Sequence, residues 1–444
     1  MMKKNILWVV GIMVFFSFLI AEQSWAAMKG KLYIFSTDVY APLKKRMEEI
    51  IEEYKKVNPE VEVTLEVVSW GGSLAKLAAM KAAGTPPDIC FVIPDSMWTL
   101  KQRGWLMPVD DVIEKLGGDK FFLPLPIFTK VDGHYWGVPK GSYTNHIIFR
   151  KDLFEKKGIK KTPRTWDDLL TAAKALTEDL DGDGKIDRYG IVLPLKRDYA
   201  VSTMFLSFLW GNGGNVLDKQ GNVVFNSPET VQTMKFFKEL YRYAPPGVTD
   251  YSWLQLIETY TQDKAAITSY SALSVLSKAI EKDSKIAEGT DICPYPTRLA
   301  SQEPKARWGN ESWIIFKDSK SPEVAKDFIM FFMEPKRLIK YYHTDQIYVV
   351  PGENPVVKSK EYWEGNLIKK YRDVIDKYIY EISKSGVEPA MEHQGIVQPN
   401  TSIINQRLIL TDAIQEVVLG KLSAEDAVAK AHTRMKELVV ELGK

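Results

Sequence analysis

The chain has 444 residues, of which 45% are hydrophobic and 26% are charged, a composition that excludes a disordered or collagen-like protein. The 59 Lys and Arg residues nearly balance the 57 Asp and Glu residues, and the resulting charge of +2 argues against a nucleic-acid partner. The length predicts two or three domains, and two cysteines, Cys90 and Cys293, are too few for a disulfide framework and are expected to be buried.

The N-terminus has the pattern of a signal peptide, assigned to residues 1–26. Two lysines precede an apolar run from 6 to 20, and Ser24-Trp25-Ala26 is a small-x-small cleavage pattern. The run is shorter than the roughly 20 residues that a membrane-spanning helix needs. We expect cleavage after Ala26 and a periplasmic product, without a lipid anchor because no cysteine lies near that site.

The mature chain begins with strands and helices in alternation. Strands are predicted at 31–36, 61–68 and 88–93, with helices at about 43–57 and 74–83 between them. This order predicts an open, largely parallel sheet with helices on both faces, which is an α/β fold.

Later helices are marked by their N-terminal residues. Thr165 precedes an acidic first turn, and Ser227-Pro228-Glu229, Ser321-Pro322-Glu323 and Ser423 through Asp426 follow the same pattern. Apolar residues at helical spacing come after each of them. Strands and helices are therefore predicted over the whole chain.

Two α/β units without a flexible tether are expected to be joined by several crossings of the chain. No low-complexity linker occurs, and the Pro-flanked extended segments at 137–143, 292–296 and 349–352 are the candidates. Three such crossings would form a hinge.

Motifs of the common enzyme classes are missing from the sequence. None of the five histidines lies in H-E-x-x-H, no G-x-S-x-G precedes a helix, and the glycine-rich segment 210–215 lacks dinucleotide-binding spacing. We therefore predict that the chain is not an enzyme. A glycosidase-type pair of carboxylates stays open, since their separation is set in three dimensions.

An acidic loop matches the first half of a calcium-binding loop. Its candidate ligands are Asp179, Asp181, Asp183 and Asp187. Gly190 stands where the bidentate Glu of such a loop belongs, so we predict a weak, optional calcium site and favour a metal-free Asx-rich turn. No other cofactor is expected.

Several tryptophans stand beside Gly, Asn or Ser instead of within apolar periodicity. They are Trp70, Trp210, Trp308 and Trp313. An indole on such a loop offers a stacking face, and neighbouring amides offer hydrogen bonds, a combination that suits the apolar faces and hydroxyl rim of a sugar.

A series of motifs in order resembles the extracellular solute-binding proteins of family 1, the sugar-binding components of ABC importers. The matching segments are 84–95, 100–108, 136–139, 149–153, 162–169, 263–267 and 308–313. The resemblance implies a two-lobed periplasmic-binding-protein-like fold of type II, with a ligand cleft between lobes joined by a multi-crossing hinge. It implies that residues 27–139 plus about 294–348 form lobe 1, and residues 140–293 plus about 349–444 form lobe 2.

The resemblance also implies which residues contact ligand. They are Asp38, Trp70, Asp95, Trp210, Asn212, Tyr270, Trp308, Asn310 and Trp313. Maltose-binding members carry aromatic residues near the positions of Val92 and Leu273, and their absence here argues against a maltodextrin as ligand.

The function implied is that of a monomeric receptor that binds a sugar or polyol by lobe closure and delivers it to the transmembrane subunits of an ABC permease. The alternatives are a secreted lyase or glycosidase that uses carboxylates such as Asp95, and a metal or anion receptor that uses Tyr341 and Tyr342. An adhesion or chemoreceptor role could coexist with transport.

Overall fold

The computed structural model describes residues 28–122, 129–344, 347, 349–382, 387–389, 392–393, 396–397 and 399–442. The predicted signal peptide, residues 1–26, lies outside these described residues. Within them, no helix combines the length and the apolar character that crossing a bilayer requires.

The first lobe is a sheet covered by helices. Strands β1 (Lys29–Ser36), β2 (Glu60–Val67) and β3 (Ile89–Val92) pair in parallel in the order β2-β1-β3, so the predicted alternation of strand and helix is confirmed. The other elements of this lobe are α1 (Ala41–Val57), α2 (Trp70–Ala82), α3 (Pro94–Gln102), α4 (Asp110–Leu116), the hairpin β4 (Lys130–Val131) and β5 (His134–Tyr135), α12 (Pro322–Phe332) and α13 (Pro335–Tyr342).

Helix α1 illustrates how apolar spacing fixes the packing of this lobe. Leu43, Met47, Ile50 and Tyr54 recur at intervals of three or four and are all buried. The Tyr54 hydroxyl donates to Asp327 Oδ2 at 2.8 Å, and the Tyr54 ring packs edge-on against Phe328. These contacts join α1 directly to α12, which is distant in sequence.

The second lobe is a mixed sheet with its own helices. Strand β8 (Ala265–Ser271) lies between the parallel β7 (Tyr189–Val192) and the antiparallel β6 (Val138–Arg150), and β9 (Thr290–Cys293) also pairs with β6. The helices are α5 (Lys151–Lys156), α6 (Trp166–Ala175), α7 (Tyr199–Gly211), α8 (Pro228–Tyr241), α9 (Trp253–Thr261), α10 (Ala272–Lys282), α11 (Ser284–Gly289), α19 (Ile409–Val418) and α20 (Ala424–Leu442).

The predicted helix start at Thr165 is confirmed in detail. The Thr165 hydroxyl accepts from the Asp168 amide at 3.2 Å, and Asp168 Oδ2 accepts from the Thr165 amide at 2.8 Å, which is a complete capping box. Ser227 likewise accepts from the Thr230 amide, whereas Ser321 begins α12 without a side-chain cap. Cys90 and Cys293 are buried, as predicted, and both are free cysteines.

Two strands connect the lobes. Residues 138–144 of β6 pair with the antiparallel β10 (Ala306–Ile315), which pairs with β3 of the first lobe, and residues 145–149 of the same strand pair with β8 of the second. A third segment lies alongside, since the Ser142 amide donates to the Val350 carbonyl at 2.8 Å. Gly141 lies at this junction with φ +69°, a value that L side chains rarely adopt.

The segment after this third crossing packs first on lobe 1 and then on lobe 2. Helices α14 (Asn354–Val357), α15 (Lys360–Trp363), α16 (Asn366–Lys370) and α17 (Arg372–Asp376) lead to a π-helix at Lys377–Ile382. Asn354 Nδ2 donates to the Lys120 carbonyl at 3.0 Å, and Lys377 pairs with Asp291 at 2.7 Å. This segment therefore contacts the first lobe near residue 354 and the second lobe near residue 377.

The C-terminal region returns to the first lobe at one point. After the short strands β11 (Val387–Pro389), β12 (Glu392–His393) and β13 (Ile396–Val397), helix α18 (Pro399–Gln406) contacts α3. Gln406 Nε2 lies 2.5 Å from Thr99 Oγ1. Helices α19 and α20 then pack on α7 and α8 of the second lobe.

Candidate functional site

A cleft opens between the lobes beside the crossing strands. The first lobe contributes Asp38, Tyr40, Leu43 and Ile93 to its wall. The second contributes Asn145, Thr203, Trp253, Tyr270, Ser271 and Ser274. The crossing segments contribute Tyr143, Arg307, Glu311 and Val349. Since both lobes and the hinge supply groups, a bound molecule would contact all three.

Asp38 lies at the carboxyl end of β1, where open α/β sheets bind ligands. It is almost fully buried, and its Oδ2 accepts hydrogen bonds from the Tyr341 hydroxyl at 2.8 Å and from Lys140 Nζ at 3.2 Å. The predicted site residue is thus brought to the cleft, with one oxygen held by the protein itself.

Lys140 is the cation that contacts Asp38, and it is fully buried. Its ammonium also contacts the Tyr341 hydroxyl at 2.5 Å, lies 3.8 Å from Glu311 Oε2 and lies 3.6 Å from the centre of the Phe91 ring. A charge removed from water is tolerated only when such partners surround it. This cluster of Lys140, Asp38, Glu311 and Tyr341 is called the charged floor below.

Glu311 is the least satisfied member of the charged floor. Burial raises its pKa to about 8, opposed by Lys140 and reinforced by the charge of Asp38. Within the described part of the chain, its Oε2 has no hydrogen-bond partner. Near pH 8 this side chain is close to the balance between its neutral and its ionised form.

An aromatic pair forms the wall contributed by the second lobe. The rings of Trp253 and Tyr270 are nearly parallel, at 13°, with centroids 6.1 Å apart. Trp253 is the first residue of α9 and is held there by a capping box between Ser252 and Gln255, whereas Tyr270 lies on β8. Flat rings beside polar groups can stack on a sugar ring while its hydroxyls are bonded at the rim.

Two predicted ligand residues lie away from this cleft, at the end of α7. Asn212 is the C-cap residue of that helix, where its Nδ2 donates to the Glu229 carbonyl at 3.0 Å and its Oδ1 accepts from Arg298 Nε at 3.0 Å. The half-buried Trp210 packs on the core, and its Nε1 donates to Asn215 Oδ1 at 3.3 Å. Both side chains are engaged in holding the second lobe together.

Two further predicted residues on β10 are fully buried. Trp313 packs in the core of the first lobe, 5.6 Å from the Phe91 ring and 5.3 Å from the Phe332 ring. Asn310 lies opposite Ser142 on β6, and neither its amide nitrogen nor its amide oxygen has a partner among the described residues. Neither side chain lines the cleft.

For three predicted residues the structure describes the backbone alone. Trp70 begins α2, Asp95 lies in the first turn of α3, and Trp308 lies on β10 opposite Thr144. Their side chains lie outside the described part, so their roles stay predictions.

The sequence analysis missed Lys140, Glu311, Arg307 and Trp253. The available signal was a charge inside an otherwise apolar strand, since Lys140 follows Val138-Pro139 within the predicted crossing. A charged side chain in a buried strand is rare unless it is paired. Glu311, between Asn310 and Ser312 on β10, gives the same signal.

Another buried carboxylate, Glu353, lies at the hinge. It accepts from the Gly141 amide at 3.2 Å and from the Tyr342 hydroxyl at 3.0 Å, and burial raises its pKa to about 7. Burial likewise raises the pKa of Tyr341 and of Tyr342, whose hydroxyls donate to Asp38 and Glu353. These two phenols are therefore held as neutral donors.

The acidic loop brings three of its four candidate ligands together. Oxygens of Asp179, Asp181 and Asp187 lie within 4.8 Å of one another, whereas Asp183 pairs with Lys185 at 3.0 Å. Asp179 accepts from the amides of Gly182 and Gly184, and the Gly184 bond is the main cause that lowers its pKa. These bonds within the loop fit the predicted Asx-rich turn.

Comparison with known proteins agrees with this geometry. The profile of the bacterial extracellular solute-binding protein family matches residues 40–336. A putative binding protein of Brucella abortus is 25% identical over 333 residues, 74% of this chain and 77% of that protein. A maltodextrin-binding protein of Bacillus subtilis is 25% identical over 336 residues, with 72% of this chain and 74% of that protein covered.

A solved structure extends the likeness to the whole fold. An ABC transporter solute-binding protein of Thermotoga lettingae, bound with α-D-tagatose, superposes with a TM-score of 0.76. The match covers 93% of this chain and 100% of that chain at 19% identity. The predicted two-lobed type II fold is confirmed.

Proposed function

The chain belongs to the bacterial extracellular solute-binding proteins, and from this premise we propose that it is the substrate-binding component of an ABC importer. It binds a sugar or polyol in the cleft between the lobes and delivers it to a membrane permease. The single observation that supports this proposal best is the wall of the cleft, where an aromatic pair from one lobe faces polar groups from the other lobe and the hinge.

Binding and closure are coupled in this proposal. A molecule held by Asp38 on one lobe and by Trp253 and Tyr270 on the other makes its full set of contacts only when the lobes are together. The ligand therefore favours the closed state by its differential contacts, and the permease would recognise that state. The bend is expected at the crossing residues 140–144.

The names of similar proteins support the class of ligand. The relative from Bacillus subtilis is a maltodextrin-binding protein, and the structural neighbour was crystallised with α-D-tagatose. Both ligands are polyhydroxylated and uncharged. The proposed contacts in this chain are Asp38, Tyr270 and Trp253, and Trp70, Asp95 and Trp308 stay predicted contacts.

Export and the absence of catalysis are part of the same proposal. The receptor would be released into the periplasm after cleavage at Ala26, would act as a monomer, and would need neither a cofactor nor calcium. N-terminal sequencing of the secreted protein tests the cleavage, and size-exclusion chromatography with light scattering tests the oligomeric state.

Calorimetry tests the proposed function. The purified protein is titrated with D-glucose, D-tagatose, ribitol, maltose and maltotriose, and small-angle scattering is measured with the tightest of them. We expect binding of at least one compound, a smaller radius of gyration in its presence, and recovery of the compound unchanged. Cleavage of an oligosaccharide would favour the alternative enzyme, and failure of every compound to bind would refute the proposal.

A further inference from the structure

One oxygen in the cleft is buried without a hydrogen bond. Glu311 Oε2 lies 3.8 Å from Lys140 Nζ, beyond hydrogen-bond distance, and has no other partner among the residues the structure describes. Its side chain lines the cleft, which is the space where the proposed ligand would lie.

The surroundings of Glu311 explain why no group of the protein satisfies it. Lys140 directs its hydrogen bonds to Asp38 and to the Tyr341 hydroxyl, which leaves only an electrostatic attraction for Glu311. The other charged or titratable groups around it are Arg307 on the same strand and the phenols Tyr342 on α13 and Tyr378 of the π-helix. The charged floor therefore has no hydrogen-bond donor for Glu311 Oε2 among the described residues.

A buried acceptor without a donor is costly unless a ligand supplies the donor. A hydroxyl group of a polyol can provide it. An ionised carboxylate or phosphate group cannot provide it, because it has no proton to donate and would bring a third negative charge next to Glu311 and Asp38.

We propose that Glu311 determines the specificity of the cleft by accepting a hydrogen bond from a ligand hydroxyl, and that the cleft thereby selects uncharged polyhydroxylated solutes over anionic sugars. Lys140 is a positioning residue that holds the carboxylate in place. This inference rests on the proposed function. It adds the residue that discriminates between ligands and the class of solute that is rejected.

The first test compares matched ligands. Wild-type protein is titrated with D-glucose, D-glucuronate and D-glucose 6-phosphate, and with ribitol, maltose and D-tagatose as further uncharged probes. We expect affinity for an uncharged probe at least tenfold above that for either anion. Glu311→Gln should lose at least tenfold in affinity for the uncharged probe, and Glu311→Asp, which keeps the charge but withdraws the oxygen, should lose a similar factor.

The second test measures the protons released when the ligand binds. No such release is expected if Glu311 has a purely structural role. If the ionised carboxylate accepts the bond, ligand binding near pH 8 releases protons, which calorimetry in two buffers of different ionisation enthalpy measures. Glu311→Gln should abolish this release. The matched control is Glu239→Gln, an exposed acid on α8 that pairs with Arg242 at the surface and should bind as the wild type does.

The outcomes separate this inference from the proposed function. Wild-type binding of an uncharged probe with unchanged affinity in Glu311→Gln, or equal affinity for D-glucose and D-glucuronate, would overturn the role of Glu311 alone. Lack of binding to every probe would overturn both. A Glu311→Gln variant that unfolds below the wild-type temperature at pH 9 would show that the carboxylate is a structural anchor, and this too overturns the inference.

Discussion

Replacing Lys140 by Met tests the charged floor most directly, because Met has a similar length and no charge. In the wild type the ammonium lies 3.2 Å from Asp38 Oδ2 and 3.8 Å from Glu311 Oε2, and it is fully buried. The variant leaves two carboxylates close to each other in the same buried region with no cation between them.

The distances set the size of the effect. At an effective dielectric constant of about 20, the two attractions are worth about 5 and about 4 kcal/mol before the cost of burying the charges is subtracted. Breaking a buried ion pair by removing one partner typically costs 3–5 kcal/mol, and we expect a loss of about 4 kcal/mol in the free energy of unfolding at pH 8 to 9.

The loss should depend on pH in one direction. Because burial raises the folded-state pKa of Glu311 to about 8 from its ordinary value of 4.5, stability present at low pH is lost as the pH rises between these two values. Without Lys140 that pKa rises further. The difference between variant and wild type should therefore be smallest near pH 5, where Glu311 is protonated, and should grow towards pH 9.

Urea denaturation at pH 5, 7 and 9 measures this difference. The control is Lys31→Met, which removes a surface pair with Glu62 at a similar distance, 2.9 Å, and should cost less than about 1 kcal/mol at every pH. A Lys140→Met protein as stable as the wild type, or a loss that does not change with pH, would refute the reasoning.

Three further outcomes follow from the geometry. Trp253→Ala should lower affinity for an uncharged probe about tenfold in calorimetry, because the face stacked on Tyr270 is lost, and unchanged affinity would contradict its role. Gly141→Ala, at φ +69°, and Gly158→Ala, at φ +71°, should each lose about 1 kcal/mol in urea denaturation because L side chains are strained at positive φ, and unchanged stability in both would contradict this strain. In scanning calorimetry, 1 mM calcium should raise the unfolding temperature by less than about 1 °C because the acidic loop is satisfied by its own amides, and a rise of several degrees would refute this.

The sequence predicted the features that local rules determine. The strands and helices over residues 29–92 follow from apolar periodicity, and the helix start at Thr165 follows from the spacing of its cap and its acid. The two-lobed fold was predicted from the order of the motifs, which resembles that of a known family. Each of these features is encoded within a few neighbouring residues, so a single sequence displays it.

The site was harder to predict because it depends on which faces meet. Asp38 and Tyr270 were predicted and lie at the cleft, but a Trp beside Gly and Asn is also typical of a helix end, and Trp210 with Asn212 is such an end. On β10, a register shift between Asn310 and Glu311 interrupts the pairing with β6. Periodicity could not show that Glu311 would line the cleft while Trp313 entered the core.

The pairing of β3 with β10 has a consequence for how the protein is made. Strand β10 pairs with β3 and completes the sheet of the first lobe. In chain order, however, β10 comes after strands β6 to β9 of the second lobe, so it is synthesised after them. Until then β3 is an open edge that other chains could join. The N-terminal half alone therefore cannot complete its sheet, and pairing between strands so distant in sequence is slow.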